Sequence, residues 1–120
     1  ALQRKQFGKP IAGHQLIQGM LAEMVTELEA ARYLVYRALW LLSGGTRCER
    51  EAAVAKSFAT EAAQRITSKA IQIHGAFGIT REFPVERHFR NARLLTIPDG
   101  TTQLNQLIIG RKLTGIAAFS

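Results

Sequence analysis

Two long apolar stripes at helical spacing dominate the first two-thirds of the chain. In the first, Ile17, Met20, Leu21, Met24, Leu28, Ala31, Val35 and Leu39 recur at steps of three and four, which puts them on one face of an α-helix. Ser43-Gly44-Gly45 ends it, since glycine reaches the left-handed conformation that closes helices. In the second, Ala52, Ala55, Ala59, Ala62, Ile66, Ala70 and Ile73 form a similar stripe that stops near Gly75. Its small side chains predict a closely packed neighbouring helix, and both stripes are expected to be buried.

Gly75-Ala76-Phe77-Gly78-Ile79-Thr80 reads as a loop. Phe83-Pro84 then predicts a helix over about 85–95, because proline favours the first helical turn. Ile97-Pro98-Asp99-Gly100 is a second break, after which Thr101 or Thr102 can cap a last helix through Leu104, Leu107, Ile108 and Leu113. No segment shows the sustained two-residue alternation of a strand. The pattern predicts an all-α, antiparallel up-and-down four-helix bundle.

With 120 residues, the chain has room for one domain with its own core and is short for a complete metabolic enzyme. The opening Ala1-Leu2-Gln3-Arg4-Lys5 has no apolar signal region and reads as a fragment boundary. No apolar run approaches the roughly 18 residues of a membrane span. Cys48, the single cysteine, lies in a polar stretch and suits a reducing compartment. The formal charge of +7 raises the question of nucleic acid. Yet the basic residues are scattered from Arg4 to Lys112, as solvated faces are, and a smaller polyanion such as a cofactor pyrophosphate suits the same charge.

The connections carry a further pattern. Arg4-Lys5-Gln6-Phe7-Gly8-Lys9-Pro10-Ile11 is followed by His14-Gln15, Ala30-Ala31-Arg32 and Ala55-Lys56. Gln72-Ile73-His74-Gly75-Ala76-Phe77-Gly78, Phe83-Pro84-Val85-Glu86-Arg87 and Asp99-Gly100-Thr101-Thr102-Gln103 complete it. In that order and at those intervals, the series resembles the C-terminal domain of the acyl-CoA dehydrogenases across nearly the whole of residues 1–120. The resemblance implies a subunit with an N-terminal helical domain and a middle β-domain besides this bundle, in a homo-oligomer (dimer or tetramer). It implies FAD as cofactor, an acyl-CoA substrate and electron-transfer flavoprotein or a similar acceptor. It also implies a setting in the bacterial cytoplasm or the mitochondrial matrix. In such enzymes a carboxylate removes the α-proton while a hydride leaves the β-carbon for FAD.

Carried over residue by residue, the resemblance assigns roles. Asp99 stands where many members place the catalytic glutamate, with Pro98 in place of tyrosine and a side chain one methylene shorter. The other reading of Asp99 is a turn aspartate complementing a helix dipole, with the base elsewhere in the complete protein. Gly100 matches a substrate contact. Arg4 resembles the arginine that reaches the FAD pyrophosphate across a subunit interface, a role suited to a guanidinium's parallel donors. Lys5 and Gln6 match its flavin-contacting neighbours, and His14 and Gln15 match adenine-side contacts. Gln72, Ile73, His74, Gly75 and Ala76 match a cofactor-binding Gln-x-x-Gly-Gly stretch, Ala76 replacing its second glycine. Thr101, Thr102 and Gln103 match flavin contacts at a helix start, where N–H groups are free.

Other readings stay open. An acyl-CoA oxidase or enoyl-CoA reductase could use the same scaffold. The domain could instead be a non-catalytic helical oligomerisation module, or follow DNA-binding relatives on charge alone. His14, His74 and His88 lack metal-ligand spacing. Tyr33, Tyr36 and Trp40 sit at helical spacing, as packing residues do.

Overall fold

A computed structural model gives the fold and describes residues 1–118. Two short strands, β1 (Lys5–Gln6) and β2 (Lys9–Pro10), and a 3-10 turn over Ile11–Gly13 lead into four helices. These are α1 (Gln15–Ser43), α2 (Glu49–His74), α3 (Val85–Leu95) and α4 (Thr102–Thr114), with a second 3-10 segment at Gly75–Ile79. The four-helix, all-α architecture is the one the periodicity predicts.

Helix α2 is the central element. Glu27 meets Arg65 at 2.9 Å and Glu23 meets Lys69 at 2.7 Å, so α1 runs antiparallel to α2. Thr102 donates to Glu61 at 2.8 Å and Lys112 pairs with Glu49 at 2.7 Å, which lays α4 antiparallel along the first half of α2. The Phe83 ring lies 5.6 Å from His74, and α3 follows from there along the second half. At α4, Thr101 is the cap, its hydroxyl accepting from the Leu104 N–H at 3.2 Å.

The result is a rod of 59 × 24 × 24 Å with a radius of gyration of 18.0 Å, against about 14 Å for a compact chain of this length. Its core is correspondingly thin: Ile11, Ala53, Ala55, Ala62, Ile73 and Ala92 are the buried apolar side chains among the described residues. The alanines let the helix backbones approach closely, as the second stripe predicts, though Ala52 is exposed and Ala53 takes its place.

The first stripe needs correction. Leu21, Leu28, Val35 and Leu39 are exposed. The half-buried seam instead runs Ile17, Met20, Met24, Glu27, Ala31, Leu34, Ala38 and Leu41, with strictly alternating steps of three and four. That seven-residue repeat keeps one seam facing a partner helix. A second apolar seam lies one residue further on and faces outward, and the expected stripe merged the two. On α4, Leu104, Leu107 and Leu113 are likewise exposed, while Asn105 is buried.

Two local features also differ from expectation. The two-residue strands pair antiparallel, Lys5 with Pro10 and Gln6 with Lys9, and are too short for alternation to show. Phe7 (φ 52°) and Gly8 (φ 79°) close them with both central residues left-handed, the geometry a tight hairpin requires. Gly75–Ile79 is a 3-10 helix rather than an irregular loop, because Gly78 packs against α2: a Cβ there would lie 2.6 Å from the Ile71 carbonyl oxygen. Among the described residues no helix is long and apolar enough to cross a membrane.

Candidate functional site

The residues singled out by sequence gather in two places. The first is the junction between the N-terminal hairpin and the end of α2. The Ile11 N–H donates to the Arg4 carbonyl at 2.9 Å, which anchors the hairpin and swings Arg4 across the helix end. The Arg4 guanidinium donates from Nη1 to the His74 carbonyl at 3.1 Å, satisfying one of the acceptors a helix C-terminus leaves open. Gly75 closes α2 with φ 64° and ψ −144°, a backbone region nearly reserved for glycine. Arg4, Ile11, Ile73, His74, Phe77 and Phe83 line a pocket of 450 Å³ there. The His74 ring is fixed by its Nδ1–H donating to the Ala70 carbonyl at 2.8 Å.

On the other side of Ile11 lies a wider depression of 670 Å³, lined by Gln6, Phe7, Lys9, His14, Gln15 and neighbouring apolar residues. His14 donates from Nε2 to the Gln6 carbonyl at 3.1 Å, and Phe7 meets its ring edge-on at 6.1 Å. Hairpin and first turn of α1 thus bring Gln6, His14 and Gln15 to one depression, with Arg4 in the neighbouring pocket across Ile11. Lys5 sits on β1 and is exposed, as is Gln72. Ile73 is buried, so its side chain serves packing. Ala76 is exposed and is absent from the left-handed residues, so its methyl is accommodated without backbone strain.

Asp99, Gly100, Thr101, Thr102 and Gln103 form the second place, between α3 and α4. It faces α2 near Lys56, 18 residues from His74 and therefore about 27 Å away along the helix. Asp99 (φ 54°) and Gly100 (φ 93°) are consecutive left-handed residues, and Asp99 is exposed. The loop closes by the Thr102 N–H donating to the Thr96 carbonyl at 3.1 Å. Thr102 spends its hydroxyl on Glu61 and Thr101 spends its on the cap. With the Thr102 and Leu104 N–H groups also bonded, what the helix start can offer a ligand is chiefly the Gln103 N–H.

Lys56, Asn105 and Glu61 were missed as participants. Lys56 Nζ donates to the carbonyls of Pro98, Asp99 (2.8 Å) and Gly100 (2.7 Å). Asn105 Nδ2 donates to the carbonyls of Gly100 (2.9 Å) and Thr101 (3.0 Å). The available signal was a charged residue set among the alanines of the second stripe, and an asparagine in a short apolar helix. Among the described residues no three His, Cys, Asp or Glu side chains gather as a metal would need.

The family model for the acyl-CoA dehydrogenase C-terminal domain matches residues 1–114. The chain is 46% identical over 113 residues to the caffeyl-CoA reductase–Etf complex subunit CarC of Acetobacterium woodii, covering 94% of this chain and 30% of that protein. Butyryl-CoA dehydrogenase from Megasphaera elsdenii superimposes with a TM-score of 0.92 at 41% identity, over 93% of this chain and 29% of that one. PigA, solved as an FAD complex, superimposes at 0.90 with 34% identity, over 94% and 30%. The chain thus spans about 30% of the length of the curated relatives it matches.

Proposed function

Because this chain belongs to the acyl-CoA dehydrogenase family as its C-terminal domain, we propose that it completes the flavin site and supplies the base of an acyl-CoA dehydrogenase. The rest of that subunit would be an N-terminal helical and a middle β-domain. The observation that carries the reading is the division of the matched residues into two sets about 27 Å apart on one helix. One set, around Arg4 and His14, suits the phosphate and adenine end of a dinucleotide; the other, around Asp99, suits the reacting end.

The residues fit FAD. The exposed Arg4 guanidinium uses Nη1 on His74 and keeps the rest of its fork for a phosphate. Gly75 and the 3-10 helix bring backbone close to the same place, and at the start of α4 the Gln103 N–H stays open where those of Thr102 and Leu104 are already bonded. With these sets so far apart, two copies of the chain would each contribute one set to a given flavin, hence a homo-oligomer. Bound FAD would supply the hydride acceptor for the substrate β-carbon. Asp99 takes the α-proton onto its carboxylate, forming a carboxylic acid as the α C–H bond breaks. Its short stem requires the substrate to approach the loop closely, since about 1 Å of misplacement costs on the order of 100-fold in rate.

The reverse direction, reduction of an enoyl-CoA, is a second reading favoured by the name of the reductase relative. That name also supports an electron-transfer flavoprotein as redox partner. A setting in the bacterial cytoplasm is supported by the bacterial origin of the relatives. The test is anaerobic addition of an acyl-CoA series to the full-length protein. Bleaching of the flavin band by at least one acyl-CoA is expected, with none for the 120-residue chain alone. Recovery of the flavin band when an enoyl-CoA is added to the chemically reduced protein, with no bleaching by any acyl-CoA, would favour the reductase, and a full-length protein that binds no flavin would overturn the proposal.

A further inference from the structure

We infer that Lys56 is the positioning residue for Asp99, an inference that rests on reading Asp99 as the base. An ammonium has three N–H donors and no acceptor. Lys56 Nζ meets three consecutive carbonyls, those of Pro98, Asp99 (2.8 Å) and Gly100 (2.7 Å), so its donor capacity is fully matched. All three contacts are to backbone and none is to the carboxylate, so Lys56 fixes where Asp99 sits rather than neutralising it.

The loop needs such a clamp. Asp99 and Gly100 are both left-handed, with φ 54° and 93°, a conformation that aspartate and glycine enter more readily than other residues but that leaves their carbonyls outside any helix or strand ladder. The same turn points successive carbonyls to one side, where no helix or strand supplies N–H partners. A charged donor makes stronger bonds to them than a neutral one. From α4 the buried Asn105 holds the Gly100 and Thr101 carbonyls at 2.9 and 3.0 Å. Lys56 is half-buried on α2 between the buried Ala55 and half-buried Ser57, the helix against which α1, α3 and α4 all pack. The base is therefore referenced to α2 across 43 residues of sequence.

A double-mutant cycle on the flavin-loaded full-length protein tests this, reading the limiting anaerobic rate of flavin reduction by the best acyl-CoA. Lys56→Met should lower that rate about 100-fold, with flavin content and half-saturating substrate concentration little changed. In an Asp99→Asn background the same change should matter less than about threefold, because coupled residues are non-additive. Equal losses in both backgrounds would overturn the inference, showing Lys56 to act through general structure. If Asp99→Asn is inactive while Lys56→Met stays within about threefold of the parent, the positioning role alone is lost. If Asp99→Asn keeps the parental rate, the premise itself fails. Should Lys56→Met not fold, Lys56→Gln, which keeps two donors, goes through the same cycle: a loss confined to the Asp99 parent supports the role, and an equal loss in both overturns it.

Discussion

Gly75 and Arg4 fit each other so closely that a Cβ on residue 75 would lie 2.7 Å from Arg4 Nη1, the atom that donates to the His74 carbonyl. The arginine tip can swing aside, but the backbone at φ 64°, ψ −144° cannot be reached cheaply by alanine. Gly75→Ala should therefore destabilise the domain by about 1–3 kcal/mol, measured by urea unfolding. An unchanged midpoint would show that α2 can end another way.

Arg4 itself is exposed and carries little of the fold. In the full-length protein Arg4→Ala should leave the unfolding midpoint nearly unchanged and weaken FAD retention. Loss of a charge-assisted phosphate contact costs roughly 1.5–3 kcal/mol, on the order of 10- to 100-fold in affinity. Flavin content after dilution and dialysis is the readout, and full retention would make Arg4 a surface residue.

The outward seam of α1 predicts self-association. Val25, Leu39 and Trp40 are 54%, 55% and 74% exposed, beside Leu21, Leu28 and Val35 on a rod whose own core is thin. Contiguous apolar surface of this kind marks a face that is covered in an assembly. Sedimentation equilibrium of the chain at micromolar concentration should show a dimer or larger species, whereas a monomer at every concentration would contradict this.

Much of this was legible in the sequence, and the failures have physical causes. The alanine stripe of α2 located the centre of the bundle, since small residues at helical spacing admit close neighbours. Ser43-Gly44-Gly45 and Pro84 set the helix boundaries to within a residue or two. The burial of α1 was misread because two adjacent apolar seams share one helix, and spacing alone does not say which meets α2. Lys56 was visible only as part of a resemblance, since its three acceptors are backbone atoms whose arrangement depends on the left-handed turn at Asp99. The clustering of Arg4 with His74 joins residues 70 apart and follows from the hairpin, whose two-residue strands leave no periodic trace.

Acid should loosen the contact between α4 and the start of α2. Hydrogen bonds from Lys112 and Arg47 hold the Glu49 carboxyl below the usual glutamate range. A carboxyl depressed in the folded state stabilises above its unfolded pKa, and that contribution disappears as pH falls through the folded value. The unfolding midpoint should therefore drop as pH falls below the usual glutamate range, and Lys112→Ala should flatten that drop. Identical pH profiles for the two proteins would remove the Lys112–Glu49 pair from the account.

The most direct test is the anaerobic flavin-reduction rate of Asp99→Asn in the full-length protein with its best acyl-CoA. The amide nearly matches the carboxylate in size but cannot accept the α-proton at useful rates. The rate should fall about 100- to 10,000-fold while FAD stays bound, because the flavin contacts assigned here are made by other residues. A rate within a few-fold of the parent would contradict the account and move the base off Asp99.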